Sequence, residues 1–524
     1  MLGHTISQQR IDSNAIANAP PLNQVVNSND PYLPVNNEKY ASLEENSVKS
    51  VADDPVSTFS VDVDTGSYTN VRRMLQQGYL PQPDAVRVEE FINYFDYSYA
   101  APKSTKDPFS VTTELAPTPW NANSSLLKIG LQAYEVDASE RPSANLVFLM
   151  DVSGSMNSPD KLPLLKKSFR MLTKHLNEDD SVSIVVYAGA SGVVLEPTNG
   201  DNKREILAAM SRLRAGGSTN GVAGIQLAYQ MAEQAYIDGG INRIILATDG
   251  DFNVGTSNVE ALKRLIEDKR KTGISLTTLG FGTGNYNDQL MEQIADVGNG
   301  NNAYIDSVQE AEKVLVTEMS STLLTVAKDV KIQIEFNPMQ VSEYRLIGYE
   351  NRALKREDFN NDTVDAGEIG AGHNVTAIYE IFPSEQQSRA IDPLRYGKQQ
   401  SNNHSSKIQA PMSYRNEIAY VKLRFKHPDA DKSQLRKFVV KKSDERRLRS
   451  TSPEFRFAAA VSAFGQKLKR SQYIKDFGYE DIYELAQSGA QNDEHGYRHE
   501  FVGLVELAAE LSGENGDHLL SETH

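Results

Sequence analysis

Asp151-Val152-Ser153-Gly154-Ser155 follows the uninterrupted apolar run 146–150. One carboxylate and two hydroxyls, two residues apart, converge where a strand buried on both faces opens into a loop. These are hard oxygen donors of the kind Mg²⁺ and Mn²⁺ prefer. Two further donors occupy equivalent places. Thr219 sits in Gly216-Gly217-Ser218-Thr219-Asn220, a glycine-rich loop before a helix, and Asp249 ends the strand 244–248. In open α/β sheets ligands bind beyond the carboxyl ends of strands, where the strand order reverses. Asp151, Ser153, Ser155, Thr219 and Asp249 are therefore candidates for one divalent-cation site. Taken alone, Asp-x-Ser-x-Ser could equally cap a helix; the other two donors, in the matching element order, favour the metal.

Other motifs carry less. An aspartyl phosphatase wants a second Asp where Ser153 stands. Gly280-Phe281-Gly282-Thr283-Gly284 lacks both Rossmann spacing and a phosphate-loop lysine, and reads as a turn. His495-Gly496-Tyr497-Arg498-His499 has zincin spacing, but Gly496 replaces the catalytic Glu. Asp358-Phe359-Asn360-Asn361-Asp362 opens like a calcium loop, but Thr363 and Ile369 replace the turn Gly and the bidentate Glu. Asp62 and Asp64 read as strand-end and capping residues.

The donors need a frame. Leu162, Leu165, Phe169, Leu172 and Leu176 recur at helical spacing. Strand 182–187, helices near 203–213 and 220–236, strand 243–248, helix 258–271, strand 274–281 and helix 286–297 follow. Strict alternation predicts a doubly wound, mostly parallel sheet with helices on both faces. Before and after it lie strands of period two, 127–133, 330–336, 375–381 and 419–425, each expected to bury one face. The upstream piece has too few strands to be stable alone. The fold expected is thus α/β, a domain at 144–325 inserted into an antiparallel β-sandwich. The insertion predicts that strand 127–133 shares a sheet with 330–336 or 419–425.

The flanks divide accordingly. Residues 1–55, rich in Asn, Ser, Pro, Gln and Asp, predict a disordered tether. A strand at 58–64, a helix from Thr65 to Gly78 and a helix near 86–94 fill 56–100. The first sandwich strands fall in 105–140 and the rest in 326–447, with a polar loop at 384–411. Helices occupy 452–514, opened by Ser452-Pro453 and stopped at Gly513.

The 524 residues carry 54 Lys plus Arg against 70 Asp plus Glu, a formal charge of −16. That balance argues against a general nucleic-acid or anionic-membrane binder. No apolar stretch approaches the length of a membrane helix. Zero cysteines exclude disulfides, thiolate metal sites and cysteine nucleophiles within this sequence. The first 19 residues lack the basic start and apolar core of a signal peptide, so the protein is either cytoplasmic or missing its leader here.

The donor pattern D-x-S-x-S, then a distant Thr, then a distant Asp, resembles the metal-ion-dependent adhesion site of von Willebrand factor A domains. All five positions match, and the likeness spans about 144–325. Residues 59–73, 86–94 and the segment Asp365-Ala366-Gly367-Glu368-Ile369-Gly370-Ala371-Gly372-His373 are similar to the flanks of a bacterial YfbK-like subfamily. The resemblance implies Mg²⁺ or Mn²⁺ at the five donors and a protein partner whose Asp or Glu completes the coordination. No nucleic acid and no transmembrane segment are expected. It also implies export, in the cell envelope or secreted, as a lipoprotein whose leader and anchoring cysteine are outside this sequence, with the cytoplasm as the alternative. The function expected is a metal-dependent binding or adhesion module without catalysis. A scaffold assembling other complexes is the alternative, and a metal-assisted hydrolase a third. In A domains the last helix, here near 308–324, moves with ligation and leads into the strand at Val330.

Overall fold

Alternate residues of the strand Ala144–Asp151 serve two different cores. Leu146, Phe148 and Met150 pack with Leu165, Phe169 and Leu172 of the helix Leu162–Lys174. Val147 and Leu149 face Ile225, Ala228 and Tyr229 of the helix Gly221–Gln234. The apolar run is therefore a central strand covered on both sides. In the computed structural model, which describes residues 37–102, 107–136, 140–218, 221–250, 259–385, 390–391, 414–474, 476–491 and 493–514, this strand lies inside a six-stranded sheet. Its order runs Asn302–Ile305, Ser275–Phe281, Ile241–Thr248, Ala144–Asp151, Ser181–Tyr187 and Ser191–Asn199. All pairings are parallel except the last. Successive connections leave Ala144–Asp151 in opposite directions, which puts Asp151 at the switch point of the sheet.

The flanking strands form two antiparallel sheets packed face to face. One has the order Lys49–Ser50, Val341–Ile347, Asn374–Pro383, Asn121–Ala133 and Phe109–Thr118. The other joins Thr325–Phe336 to Val56–Ser60, Ile369–Gly370 and Glu417–Lys426, with Gln434–Lys441 outside the last. Leu127, Ile129 and Leu131 meet Ile332, Ile334, Val421 and Leu423 between them. The α/β domain is thus inserted in a sandwich. The sheet-sharing strand is not one of the two expected, however: 127–133 pairs with Asn374–Pro383, Ile129 lying opposite Ala377. The insertion is stitched at its neck, where Ala371 N donates to Leu324 O and Gly372 N to Tyr134 O.

Three further expectations change. Strand 127–133 buries both faces, because the helices Val88–Asn93, Pro453–Leu468 and Tyr497–Ser512 cover the outer side with Phe91, Phe457, Phe464 and Phe501. Gly130 is needed there, since a Cβ would fall 2.3 Å from the Tyr99 ring. The expected tether extends too far: within 37–55, Asn37 N and Lys39 N bond Gly284 O and Tyr286 O, and Lys49–Ser50 pairs with the sandwich. The last A-domain helix is not continuous. It runs Val308–Glu312, a π turn Lys313–Thr317, then Met319–Leu323. Arg72 fastens it to both helical ends, bonding Asp306 at 2.6 Å, Glu310 at 2.8 Å and Glu500 of Tyr497–Ser512 at 3.0 Å. Most of the polar loop expected at 384–411 lies outside the described residues.

Candidate metal centre

Asp151 closes its strand with a 0% exposed side chain, and the chain turns at once into a short 3₁₀ segment, Gly154–Asn157. The turn is held from both sides: Val152 N bonds Tyr187 O at 3.1 Å, and Met156 N returns to Ser153 O. Asp151 Oδ1 accepts Ser153 N at 2.8 Å, and Oδ2 accepts the Thr248 hydroxyl at 3.2 Å. Ser153 and Ser155 hydroxyls lie 2.9 Å apart. Ser153 stands at the N-cap position of that segment without a side-chain cap bond, while the Asp151 carboxylate takes the Ser153 amide.

Asp249 approaches from the neighbouring strand end, buried, and accepts from the Ser155 hydroxyl. Thr219 lies outside the described residues, but the loop leading to it docks on the turn: Gly216 N donates to Val152 O and Gly154 N to Gly217 O. The structure thus brings together Asp151, Ser153, Ser155 and Asp249, with the glycine loop beside them. Burial, reinforced by the Asp249 charge and only partly relieved by the Ser153 and Thr248 bonds, pushes the Asp151 carboxyl up to about 6. For Asp249 burial acts in the same direction, but the Lys161 hydrogen bond and charge outweigh it and hold the group below its ordinary value. The donor set fits a hard divalent cation: two carboxylates and two hydroxyls gathered at one strand end, with Ser155 bonding both Ser153 and Asp249.

Two participants escaped the sequence reading. Lys161 Nζ sits 2.8 Å from Asp249 Oδ2 and 3.0 Å from Asn285 Oδ1. The available signal was a lysine at the N-cap of Leu162–Lys174, where a short polar residue is usual. Tyr187 faces Asp151 from the adjacent strand and has no signature in sequence.

Of the lesser motifs, the glycine turn borders the centre and the others lie elsewhere. Gly282 and Gly284 take φ of +75° and +93°, a turn as expected. His499 is exposed and pairs with Asp493, near the helix start at Gly496. Residues 356–360 form a 3₁₀ turn followed by an Asn361 side chain accepting Thr363 N. Asp62 and Asp64 are more than caps: Asp64 accepts Asn302 N, and both pair with Arg352. Among the described residues no three His, Asp or Glu side chains form a metal-holding group. A cavity of about 470 Å³ lies at the junction of helices and sandwich, lined by His175, His373, Glu318 and His495, toward the strand starts Thr277 and Asn302 and not at Asp151. Burial there pushes the His373 imidazole down to about 4.

Comparison with known proteins covers nearly the whole described chain. Residues 34–128 match a family model described as von Willebrand factor, 145–318 the von Willebrand factor type A domain, and 321–511 the uncharacterized protein YfbK, C-terminal. YfbK of Escherichia coli K12 is 48% identical over 476 residues, 90% of this chain and 81% of that one. Human inter-alpha-trypsin inhibitor heavy chain H3 is 24% identical over 264 residues, 46% of this chain and 29% of that one. A von Willebrand factor type A structure from Catenulispora acidiphila covers 76% of this chain and 89% of its own, at 16% identity and a TM-score of 0.42.

Proposed function

We propose a function for this chain, which belongs to the YfbK family of von Willebrand factor type A domain proteins: it is a binding module in which a Mg²⁺ or Mn²⁺ ion bridges to an Asp or Glu of a partner protein. The observation that carries this is the convergence of Asp151, Ser153, Ser155 and Asp249 at the switch point of the sheet, with the Gly216–Gly217 loop docked beside them. Thr219 would complete the donor set. A-domain kinship points to protein interaction as the general role. Hydroxyl donors are weak and few, so a divalent ion held here keeps a coordination position that an outside carboxylate can take.

The same geometry argues against catalysis. The sandwich histidine that lines the junction cavity, His373, lies toward the strand starts, away from Asp151. We place the protein in the cell envelope, the location that its resemblance to YfbK-like proteins suggests. The fastening of the helix at 308–323 to Arg72 gives ligation a path into the flanking helices.

Calorimetric titration with Mg²⁺ or Mn²⁺ tests the reading. One site is expected, removed by Asp151→Ala while the thermal unfolding transition persists. Unchanged binding in that variant overturns the assignment. Turnover of phosphate esters or peptides that disappears with Asp151→Asn would install the hydrolase reading instead.

A further inference from the structure

The candidate centre contains a cation of its own. Lys161 leaves the start of the helix Leu162–Lys174 and runs inward, its side chain only 8% exposed, to place Nζ 2.8 Å from Asp249 Oδ2. A buried ammonium beside a metal-ligand carboxylate is costly to place unless its charge is used. Its path is built. Gly282 holds φ at +75°, and a Cβ there would fall 2.2 Å from Lys161 Cγ and 2.4 Å from Cε. The glycine turn at 280–284 therefore opens a slot for the lysine stem, which is the role its sequence left unexplained. The turn is itself pinned. Asn37 N bonds Gly284 O, Gly284 N bonds Glu38 Oε1, and Asn285 offers its Oδ1 to the ammonium at 3.0 Å.

We infer that Lys161 is a built-in counter-charge that neutralises Asp249, so that a divalent ion bound at the centre keeps a net positive charge until an outside carboxylate arrives. This rests on the metal-centre reading above and deepens it. With Asp151 and Asp249 alone, a divalent ion is already balanced and an incoming carboxylate makes the site negative. With Lys161 present, one unit of positive charge remains, and a single partner carboxylate balances it. The lysine thus lowers affinity for the bare ion and raises the affinity of the loaded ion for a carboxylate. The half-buried Asp160 at the rim contacts Ser158 and Thr283, not the ammonium.

Calorimetry with Mn²⁺, with and without acetate as the carboxylate probe, tests this on the whole chain. Lys161→Gln removes the charge and keeps an N–H donor. Bare Mn²⁺ is expected to bind about tenfold tighter to it than to the wild type, and acetate, expected to tighten Mn²⁺ binding in the wild type, should no longer do so. Lys161→Met, which removes the charge and keeps an unbranched stem in the Gly282 slot, should shift bare-ion affinity the same way; it keeps the test open if Lys161→Gln does not fold. Wild type that binds no Mn²⁺ overturns the metal reading itself. Wild type that binds it, with variants no tighter or weaker, overturns the counter-charge alone.

Discussion

Two acid-rich regions of this molecule use carboxylates in opposite ways. At the centre around Asp151 the carboxylates are diluted with hydroxyls and face one lysine, at the open end of a sheet. At the junction of the N-terminal segment, the A domain and the sandwich, Asp62, Asp64, Glu90, Asp288 and Glu292 are all buried and are gripped by Arg87 and Arg352. Arg352 alone reaches Asp62 at 3.0 Å, Asp64 at 3.3 Å and Asp296 at 2.7 Å. Planar guanidinium groups satisfy several carboxylates at fixed angles, which makes a weld between elements. Hydroxyl donors and a point-charge ammonium leave room for a ligand. Acidic composition therefore says little about use; the identity of the counter-ion says more.

The largest expected effect breaks the weld. Arg352→Ala strands the buried carboxylates of Asp62 and Asp64 and the part-exposed one of Asp296, and should cost about 3–5 kcal/mol in urea unfolding. A loss below about 1 kcal/mol would show that the junction is not a clamp. At the proposed metal centre, Asp151→Asn keeps the hydrogen-bonding shape and should stay within about 1 kcal/mol of wild type without metal, yet abolish Mg²⁺ binding. A collapse comparable to that of Arg352→Ala would erase the contrast.

A pH series sharpens it. Burial, against the opposing Arg87 and Arg352 charges, pushes Glu292 up to about 8; burial with Glu350 and Asp62 nearby pushes Glu89 up to about 7. The folded junction thus holds protons that the unfolded chain releases above the ordinary carboxylate range. Its contribution is full at low pH and is lost as pH rises through 7 to 8. The urea midpoint should fall between pH 5 and pH 8, and Glu292→Gln should flatten that slope. A midpoint that rises over the interval contradicts the sign. The smallest effect is the control: Glu260→Gln breaks the Lys263 pair on an exposed helix face, where the Glu260 side chain is 70% exposed, and should leave the midpoint within experimental scatter.

The contrast also explains what could be read in advance. The run 146–150 and the leucine spacing from 162 to 176 announced a central strand and its helix, because burial on both faces and on one stripe leaves distinct periods. Donors at strand ends were legible because topology brings such ends together. The strand Ser191–Asn199 escaped because most of its residues are half-buried, which erases alternation. Arg352 and Arg87 are single residues whose partners lie far along the chain, and no local pattern marks them. Lys128 and Gly130 looked like the wet face of a strand; only the helices packed over Tyr99 make that face dry.

The neck of the insertion sets an order of events in time. Ile129 must find Ala377 across the whole inserted domain, and sheets that depend on so distant a partner form slowly. Once residues 144–325 have collapsed, Tyr134 and Leu324 stand close enough to be bridged by the adjacent amides of Gly372 and Ala371, and the long search becomes a short closure. During synthesis the A domain leaves the ribosome before Asn374–Pro383 does, so the donors around Asp151 are assembled while the sandwich is still half made.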